Sequence, residues 1–277
     1  MVFGRHFVGK IRLEKKELLV MEFIKKNVMK ATLLSLLVSV SGMAIAERDT
    51  SRDQYRHPTE TLAFFGIASQ MDVLEISPGG GWYTEVLAKH VTGDLLAGHY
   101  DPQSDRAYYR NSQSKFAAKI AAAPDMYGNV KMHIFDASAK KLSAKASSVD
   151  AVVTFRNVHN WMGSNTEASS FELFFKALKP GGVLGVVEHR APEGTDRATM
   201  KKSGYMTQDY VIELARAAGF VFEASSEVNA NEKDTANHPK GVWTLPPSLS
   251  LGDQDRELYL AIGESDRMTL RFRKPNQ

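Results

Sequence analysis

The sequence predicts an α/β fold in which a mostly parallel sheet of seven strands carries helices on both faces. After residue 59, helix-like and strand-like segments alternate five times, and two strand-like runs then follow one another at the carboxyl end. Such alternation is typical of parallel sheets, because each crossover helix covers one face of the sheet. The two consecutive runs predict an antiparallel pair at one edge.

Each predicted strand is a short apolar run bounded by a turn or by polar residues. In chain order, the predicted strands comprise residues 71–76, 95–100, 129–135, 150–155, 183–187, 220–228 and 267–272. The predicted helices cover residues 59–67, 82–91, 114–123, 169–178 and 208–218. Apolar residues three or four positions apart mark their buried faces, for example Phe171, Phe174 and Phe175 in the fourth helix. Gly181 and Gly219 follow the last two helices as stop signals.

Composition excludes several kinds of chemistry. The 277 residues include no cysteine, so a disulfide framework, a thiolate nucleophile and a cysteine-built zinc site are excluded. Residues 1–46 hold eight Lys or Arg and three Glu, which leaves 27 basic and 29 acidic side chains in residues 47–277. This part of the chain is slightly acidic and has no long basic run, so we do not expect it to bind nucleic acid.

Residues 1–46 have the pattern of a secretory signal peptide. Residues 1–20 lie upstream of a plausible start at Met21 or Met29, so they are either the result of a mis-assigned start or a long n-region. Lys25, Lys26 and Lys30 precede an uncharged run, residues 31–46, which ends in Ala44-Ile45-Ala46. These 16 residues are fewer than a membrane-spanning helix needs. We predict cleavage after Ala46, a periplasmic or secreted product and no stable membrane insertion. The alternative is a chain anchored in the membrane by the uncleaved leader.

Residues 47–277 are predicted to form a single domain. A largely polar stretch precedes the last strand, and the segment 229–267 is interpreted as an insertion. Its length is typical of a lid or a loop that binds a substrate.

A glycine turn follows the first predicted strand. Gly79, Gly80 and Gly81 stand between that strand and the next helix, where glycine lets the backbone approach a ligand and helix N–H groups can meet it. Asp101 and Asp136 end the second and third strands, beside the crevice where open α/β sheets bind ligands. Carboxylates there suit a ribose diol or an adenine amino group. Either Asp could instead cap the helix that follows it.

Two nucleoside ligands fit this pattern. A dinucleotide fingerprint requires a third small residue, where this sequence has Thr84, and the close contact between helix and strand would then be lost. Glu75 on the first strand and the antiparallel pair at the carboxyl end favour a nucleoside ligand other than a dinucleotide.

The chain resembles the class I S-adenosylmethionine-dependent methyltransferases over roughly residues 55 to 275. VLEISPGGGWYTEVLA is similar to the first motif of that family, with Glu75, Ser77, Gly79 and Gly81 in register and Ser77 in place of the usual first glycine. Asp101 matches the acid that holds the ribose, and Asp136 the acid that contacts adenine. TFRNVHNW resembles a segment that borders the cofactor, so Asn157 is a further candidate contact. The similarity is closest to exported methyltransferases of unknown substrate that also carry ESDRMTLRF.

The resemblance implies a Rossmann-like methyltransferase fold and transfer of a methyl group to a small-molecule acceptor. An acceptor that must lose a proton needs a base, and we predict His159, with Glu188 as a second catalytic candidate. His159 could instead bond to backbone or stack on Trp161, and Glu188 could pair with Arg190. A metal site is not predicted, because the histidines lack close ligand spacing.

Two other functions stay open at this point. One is a binding or sensor module that uses the same crevice without catalysis, and the other is a nicotinamide-dependent oxidoreductase. Glu75, Ser77, Gly79, Gly81, Asp101, Asp136 and Asn157 would serve a nucleoside ligand in each case.

Overall fold

The computed structural model describes Glu22 and residues 48–276. The predicted signal peptide therefore lies almost wholly outside the described residues. Arg48–Gln277 form one compact unit. The strands are β1 Val73–Ile76, β2 Leu95–His99, β3 Val130–Asp136, β4 Lys141–Leu142, β5 Val149–Phe155, β6 Leu178–His189, β7 Val221–Ser226 and β8 Arg267–Arg273.

Ten α-helices accompany these strands in the described part of the chain. They are α1 Asp53–Arg56, α2 Pro58–Phe65, α3 Trp82–His90, α4 Ala107–Ala122, α5 Pro124–Tyr127, α6 Val158–Ser164, α7 Glu167–Ala177, α8 Arg197–Ser203, α9 Gln208–Ala217 and α10 Arg256–Ile262. A 3-10 helix, Gly241–Thr244, lies in the insertion between β7 and β8.

The strands form one sheet in the order β4-β3-β2-β1-β5-β6-β8-β7. Strands β3, β2, β1, β5 and β6 run parallel, whereas β8 is antiparallel to β6 and to β7. The chain reverses its direction of winding between β1 and β5, so the carboxyl ends of these strands border a crevice. The mostly parallel sheet and its antiparallel carboxyl-terminal strands are confirmed.

Both faces of the sheet are covered, as predicted. Successive residues of β5 point to opposite faces. Val152 packs in a cluster with Phe171 and Phe174 of α7, and Val153 packs in another with Phe65 of α2 and Leu87 of α3. The apolar periodicity of α7 is explained by the first of these clusters.

The structure corrects four details of the prediction. The sheet has eight strands, because Lys141–Leu142 pairs with the end of β3 over two residues, too few for a periodic signal. Strand β6 begins at Leu178 and includes the Pro-Gly-Gly segment that was expected to be a turn. His159 lies on the short helix α6 and not in a loop. The insertion contains α10, which is exposed along most of its length and has no strong apolar stripe.

No helix among the described residues is long and apolar enough to cross a membrane.

Candidate functional site

A cavity of about 510 Å³ opens at the carboxyl ends of β1, β5 and β6. The glycine turn after β1, the segment that joins β5 to α6 and part of the insertion form its walls. The lining residues are Asp49, Arg52, Arg56, Ser77, Pro78, Gly79, Gly80, Trp82, Glu85, Lys119, Phe155, Arg156, Asn157, His159, His189, Val242, Trp243, Pro246, Pro247, Ser248 and Arg267. The location is the one that the strand order predicts for a ligand.

The glycine turn shapes one wall of this cavity. Ser77, Gly79 and Gly81 have φ values of 53°, 59° and 80°. This left-handed backbone favours glycine, and Ser77 adopts it although it carries a side chain. A Cβ on Gly79 or Gly80 would meet no atom within 4 Å, whereas one on Gly81 would lie 2.8 Å from the Phe116 ring. Gly79 and Gly80 therefore leave room for a ligand, and Gly81 makes room for α4.

Glu75 lies behind the turn and outside the cavity lining. Its side chain is buried, and Oε2 accepts a hydrogen bond of 2.6 Å from Oγ1 of Thr84. Burial raises the pKa of Glu75 to about 7, although the hydrogen bond from Thr84 opposes the shift. The hydroxyl of Thr84 thus links α3 to β1. This hydrogen bond offsets the loss of contact between helix and strand that was expected from the size of Thr84. Contact between Glu75 and a cofactor stays a prediction.

Asp101 and Asp136 line a second, smaller cavity of about 70 Å³ at the ends of β2 and β3. Asp101 accepts hydrogen bonds from the backbone N–H of Gln103 and from Nζ of Lys141, at 2.9 and 3.0 Å. Asp136 accepts from the N–H groups of Ser138 and Ala139 through Oδ1. Each carboxylate therefore caps its own loop. The structure brings the two acids to one cavity, but not to the larger cavity that the glycine turn lines. Their contact with a nucleoside ligand stays a prediction.

Asn157 connects the end of β5 to the glycine turn. Its Nδ2 donates to the carbonyl oxygen of Ile76 at 3.2 Å and to Oγ1 of Thr154 at 2.9 Å. The side chain also lines the larger cavity. Asn157 therefore holds the turn in place, and its direct contact with a cofactor stays a prediction.

His159 and Glu188 form a buried pair beside the larger cavity. Nδ1 of His159 lies 2.9 Å from Oε1 of Glu188, which comes from β6. Glu188 is fully buried and also accepts from the backbone N–H groups of Val158 and His189, at 2.5 and 2.8 Å. With Nδ1 donating to Glu188, Nε2 of His159 is left free to accept a proton. Glu188 contacts His159 and does not line the cavity, so its contact with the site runs through His159. A catalytic role for either residue stays a prediction.

Two alternatives for these residues do not hold. His159 is not stacked on Trp161; its ring contacts those of His189 and Trp243, at 5.2 and 6.0 Å between centroids. Arg190 pairs with Asp266 and Glu227, so the alternative prediction of an ion pair between Glu188 and Arg190 is wrong.

The fold brings His159, Glu188 and His189 together, with candidate ligand atoms within 4.8 Å of one another. Sequence spacing did not indicate this cluster, because β6 and α6 are distant in the chain. The carboxylate of Glu188 is already engaged by backbone N–H groups and by His159, and arginines surround the histidines. Burial and these neighbours lower the pKa of His189 well below its usual range. The environment opposes a cation.

Four arginines line the cavity, and three of them share one buried carboxylate, that of Glu264. Nε of Arg52 lies 2.5 Å from Glu264 and Nε of Arg56 lies 3.3 Å from it, while Arg267 also pairs with it. The fourth, Arg156, has a φ of 63° and makes no side-chain hydrogen bond to any described residue. Burial, with Arg56 and Arg267 nearby, lowers the pKa of Arg156 well below its usual value. We call these five residues the arginine cluster.

Sequence reasoning missed the arginine cluster. A weak signal exists for three of its members: Arg52 and Arg56 are one helical turn apart, and Arg156 directly follows β5. Arg267 belongs to the ESDRMTLRF segment. Their convergence depends on β8 lying beside β6, which a sequence pattern alone does not specify.

Residues 74–186 match a family model described as a methyltransferase domain. No curated protein matches the chain. The fold is similar to that of a SAM-dependent methyltransferase from Aquifex aeolicus, with 16% identity, a TM-score of 0.55 and coverage of 82% of this chain and 94% of that chain. The fold is also similar to that of a SAM-dependent methyltransferase from Methanosarcina mazei, with 12% identity and a TM-score of 0.51. This match covers 78% of this chain and 98% of that chain.

Another similar structure is that of the [4+2]-cyclase SpnF, with 19% identity, a TM-score of 0.56 and coverage of 80% of this chain and 81% of that chain. Its name describes a different reaction, so similarity at this level shows the fold and not the chemistry.

The strand order and the glycine turn at the carboxyl end of β1 define a Rossmann-like α/β fold. The described chain shares this fold with solved SAM-dependent methyltransferases.

Proposed function

We propose that this protein transfers the methyl group of S-adenosylmethionine to a small-molecule acceptor. The observation that carries the proposal is the shared cavity, in which the glycine turn and His159 line the same space of about 510 Å³. A cofactor that lies against the turn would therefore leave room for an acceptor beside a base.

The described residues fit this cofactor. Gly79 and Gly80 leave open space at the turn, where the methionine part would lie, and the second cavity lies between Asp101 and Asp136, where the adenosine part would lie. Oδ2 of Asp136 accepts no hydrogen bond from a described residue, so it is available to an amino or hydroxyl group of the ligand. Asp101 would bind a ribose hydroxyl while keeping its contact with Lys141.

When bound, the cofactor supplies an activated methyl group on a sulfonium. An acceptor O–H or N–H group that takes this methyl group must lose its proton, and Nε2 of His159 is placed to accept it. Glu188 holds the ring in the tautomer that leaves Nε2 unprotonated, through the contact at Nδ1. Trp243 and Pro246 of the insertion line the cavity and limit the entry of water.

Calorimetric titration of the full chain with S-adenosylmethionine, S-adenosylhomocysteine and NAD tests the cofactor. We expect both adenosyl ligands to bind, NAD not to bind, and Asp101→Ala to weaken adenosyl binding at least tenfold. Asp94→Ala is a matched control, since Asp94 precedes the same strand at its other end and also pairs with a lysine, Lys131.

Binding of NAD alone would favour the oxidoreductase, and absence of binding to all three ligands would contradict the proposed cofactor. Adenosyl binding without methyl transfer to any of a broad panel of acceptors would favour the sensor module, because the site would then bind its ligand and do no chemistry.

We also propose that the chain is exported through its amino-terminal leader. The supporting pattern is the lysine-flanked uncharged run that ends at Ala46. Amino-terminal sequencing of the native protein should give Glu47 as the first residue. Recovery of residues 33–40 in the purified protein would instead favour the anchored alternative.

A further inference from the structure

The arginine cluster presents hydrogen-bond donors that the protein itself does not satisfy. Arg56 is 1% exposed, and neither Nη1 nor Nη2 has a hydrogen-bond partner among the described residues. Its guanidinium lies 4.4 Å from the centre of the Trp82 ring, which fixes its position. Buried groups of this kind normally have a partner, so the cavity requires something that accepts hydrogen bonds.

The other unsatisfied groups at this cavity have the same polarity. Nη2 of Arg52, Nε of Arg267 and Nε1 of Trp82 are also buried and without a partner in the described chain. All belong to residues that line the larger cavity, and all are N–H donors. A ligand that complements this wall must therefore present several acceptor oxygens.

Charge leads to the same requirement. The cluster has four guanidinium groups and one carboxylate, that of Glu264, which pairs with three of them. Asp49 is exposed, and Glu188 is turned toward backbone N–H groups. Lys119 is already paired with Glu85. The cofactor of the proposed function carries a sulfonium and an ammonium against one carboxylate, so its binding adds positive charge to a cavity that already has an excess.

We propose that the methyl acceptor is an anion, a small molecule with a carboxylate or phosphate group that Arg56 and Arg156 bind. This inference rests on the proposed function, because it identifies the acceptor of the same site. Guanidinium groups suit planar or tetrahedral oxyanions, which they bind through two parallel hydrogen bonds. Arg156 directly precedes Asn157 and lies three positions before His159, and all three residues line the cavity. An anion held here therefore has its neighbouring atoms beside the candidate base.

The test is calorimetric titration of the full chain, saturated with S-adenosylhomocysteine, with inorganic phosphate and separately with succinate. We expect one or both to bind to the loaded chain, and Arg156→Gln to weaken that binding at least tenfold. Preference for one probe distinguishes a phosphate acceptor from a carboxylate acceptor. Arg216→Gln removes a charge from an exposed ion pair with Glu213 and should change affinity less than twofold.

A second comparison separates the acceptor from the cofactor. S-adenosylhomocysteine has a carboxylate and 5′-methylthioadenosine has none, so both are titrated into the wild type and into Arg156→Gln. We expect the variant to leave both affinities within twofold. Selective weakening of S-adenosylhomocysteine would show that the cluster binds the carboxylate of the cofactor, and would overturn the proposal.

A different titration result would contradict each of the two proposals. If S-adenosylhomocysteine does not bind to the wild type, the proposed function fails. If it binds but neither phosphate nor succinate binds to the loaded chain, the anionic acceptor is excluded. Arg156→Lys keeps the charge and should restore part of the affinity. Should Arg156→Gln fail to fold by circular dichroism, Arg52→Gln replaces it, because that side chain is 26% exposed.

Discussion

At the level of individual residues, three buried carboxylates of this fold have different environments and different consequences. Glu188 accepts hydrogen bonds from two backbone N–H groups and from His159. Glu264 is surrounded by guanidinium groups, and Glu75 has only the hydroxyl of Thr84 as a hydrogen-bond donor. Environment rather than residue type therefore decides which carboxylate positions a base and which is costly to ionise.

His159→Ala should lower turnover about 10²- to 10⁴-fold while S-adenosylmethionine affinity changes less than twofold, because proton transfer is lost and the glycine turn is untouched. Steady-state kinetics and calorimetry measure the two quantities. Added imidazole should restore part of the turnover. An equal loss of cofactor affinity would remove His159 from the proposed role.

Glu188→Gln tests the positioning role separately. The N–H groups of Val158 and His189 donate to different oxygens of Glu188, so the NH2 group of a glutamine would face one of these donors and lose that hydrogen bond. The ring of His159 then loses its orientation. We expect kcat to fall while the KM of the acceptor stays within about twofold. A change in KM alone would contradict this role.

Glu75→Gln should stabilise the protein at alkaline pH. The pKa of Glu75 is raised from 4.5 to about 7 by burial, so the folded state binds a proton that the unfolded state releases between these values. Below pH 4.5, Glu75 is protonated in both states and does not change the free energy of unfolding. As pH rises through about 7, its ionisation lowers that free energy by roughly 1–3 kcal/mol. Urea denaturation at pH 5 and pH 8 should show an advantage of the variant only at pH 8. Equal midpoints at both pH values would refute the assignment.

At the level of secondary-structure elements, the segments at the carboxyl ends of β1, β5 and β6 supply many of the residues that line the cavity. Each strand ends at the same edge of the sheet, so the glycine turn, Arg156 and His189 converge although they are distant in sequence. Helix α6 starts directly after β5, and its first N–H groups are met by Glu188. A carboxylate there complements the positive end of the helix.

Gly80→Val should abolish cofactor binding without loss of stability. The added side chain enters open space at the cavity wall, and Gly80 is not in the left-handed region, so little strain is added. We expect the affinity for S-adenosylmethionine to fall at least tenfold and the free energy of unfolding to change by less than about 0.5 kcal/mol.

Gly163→Ala is the control for this substitution. Gly163 also has no atom within 4 Å of an added Cβ, but it lies on the exposed side of α6 and outside the cavity lining. Unchanged cofactor affinity in Gly80→Val would mean that the turn does not contact the ligand.

At the level of the whole molecule, the arginine cluster ties the first described helix to the last strand. Glu264 pairs with Arg52 and Arg56 near the beginning of the described chain and with Arg267 at the start of β8. The four arginines of the cluster also line the cavity. The same contacts therefore join distant parts of the fold and concentrate positive charge at the site.

Glu264→Gln should destabilise the protein by about 3–5 kcal/mol at pH 7, because buried guanidinium groups lose their counter-charge. Burial alone would raise the pKa of Glu264, but Arg267, Arg52 and Arg56 lower it from 4.5 to about 2. The stability that this carboxylate contributes is present above pH 4.5 and lost as pH falls toward 2. The difference between wild type and variant should therefore shrink in acid.

Thermal unfolding from pH 7 to pH 3 measures this difference. Glu257→Gln is the control, since Glu257 is exposed on α10 and makes no ion pair with a described residue. A constant difference between wild type and Glu264→Gln over this range would contradict the assigned electrostatic role.

Local patterns in the sequence predict the fold class, the main strands and the edge of the sheet at which the cavity lies. These features depend on local periodicity, as in β5 and α7, and on the rule that parallel strands place their carboxyl ends at one edge. The glycine turn, Asp101 and Asp136 were found because each directly follows a strong strand signal. Short elements such as β4 and α6 were missed, because a few residues carry no period.

Only the tertiary structure decided which side chains meet in the cavity. Glu188 contacts His159 across two neighbouring strands, and Glu264 brings together arginines from both ends of the described chain. Such contacts depend on strand order and on the path of the insertion, and no pattern of a few consecutive residues encodes either. Periodicity is a local property that reports what each segment buries, whereas the charge and chemistry of a site arise from residues that are close only after folding.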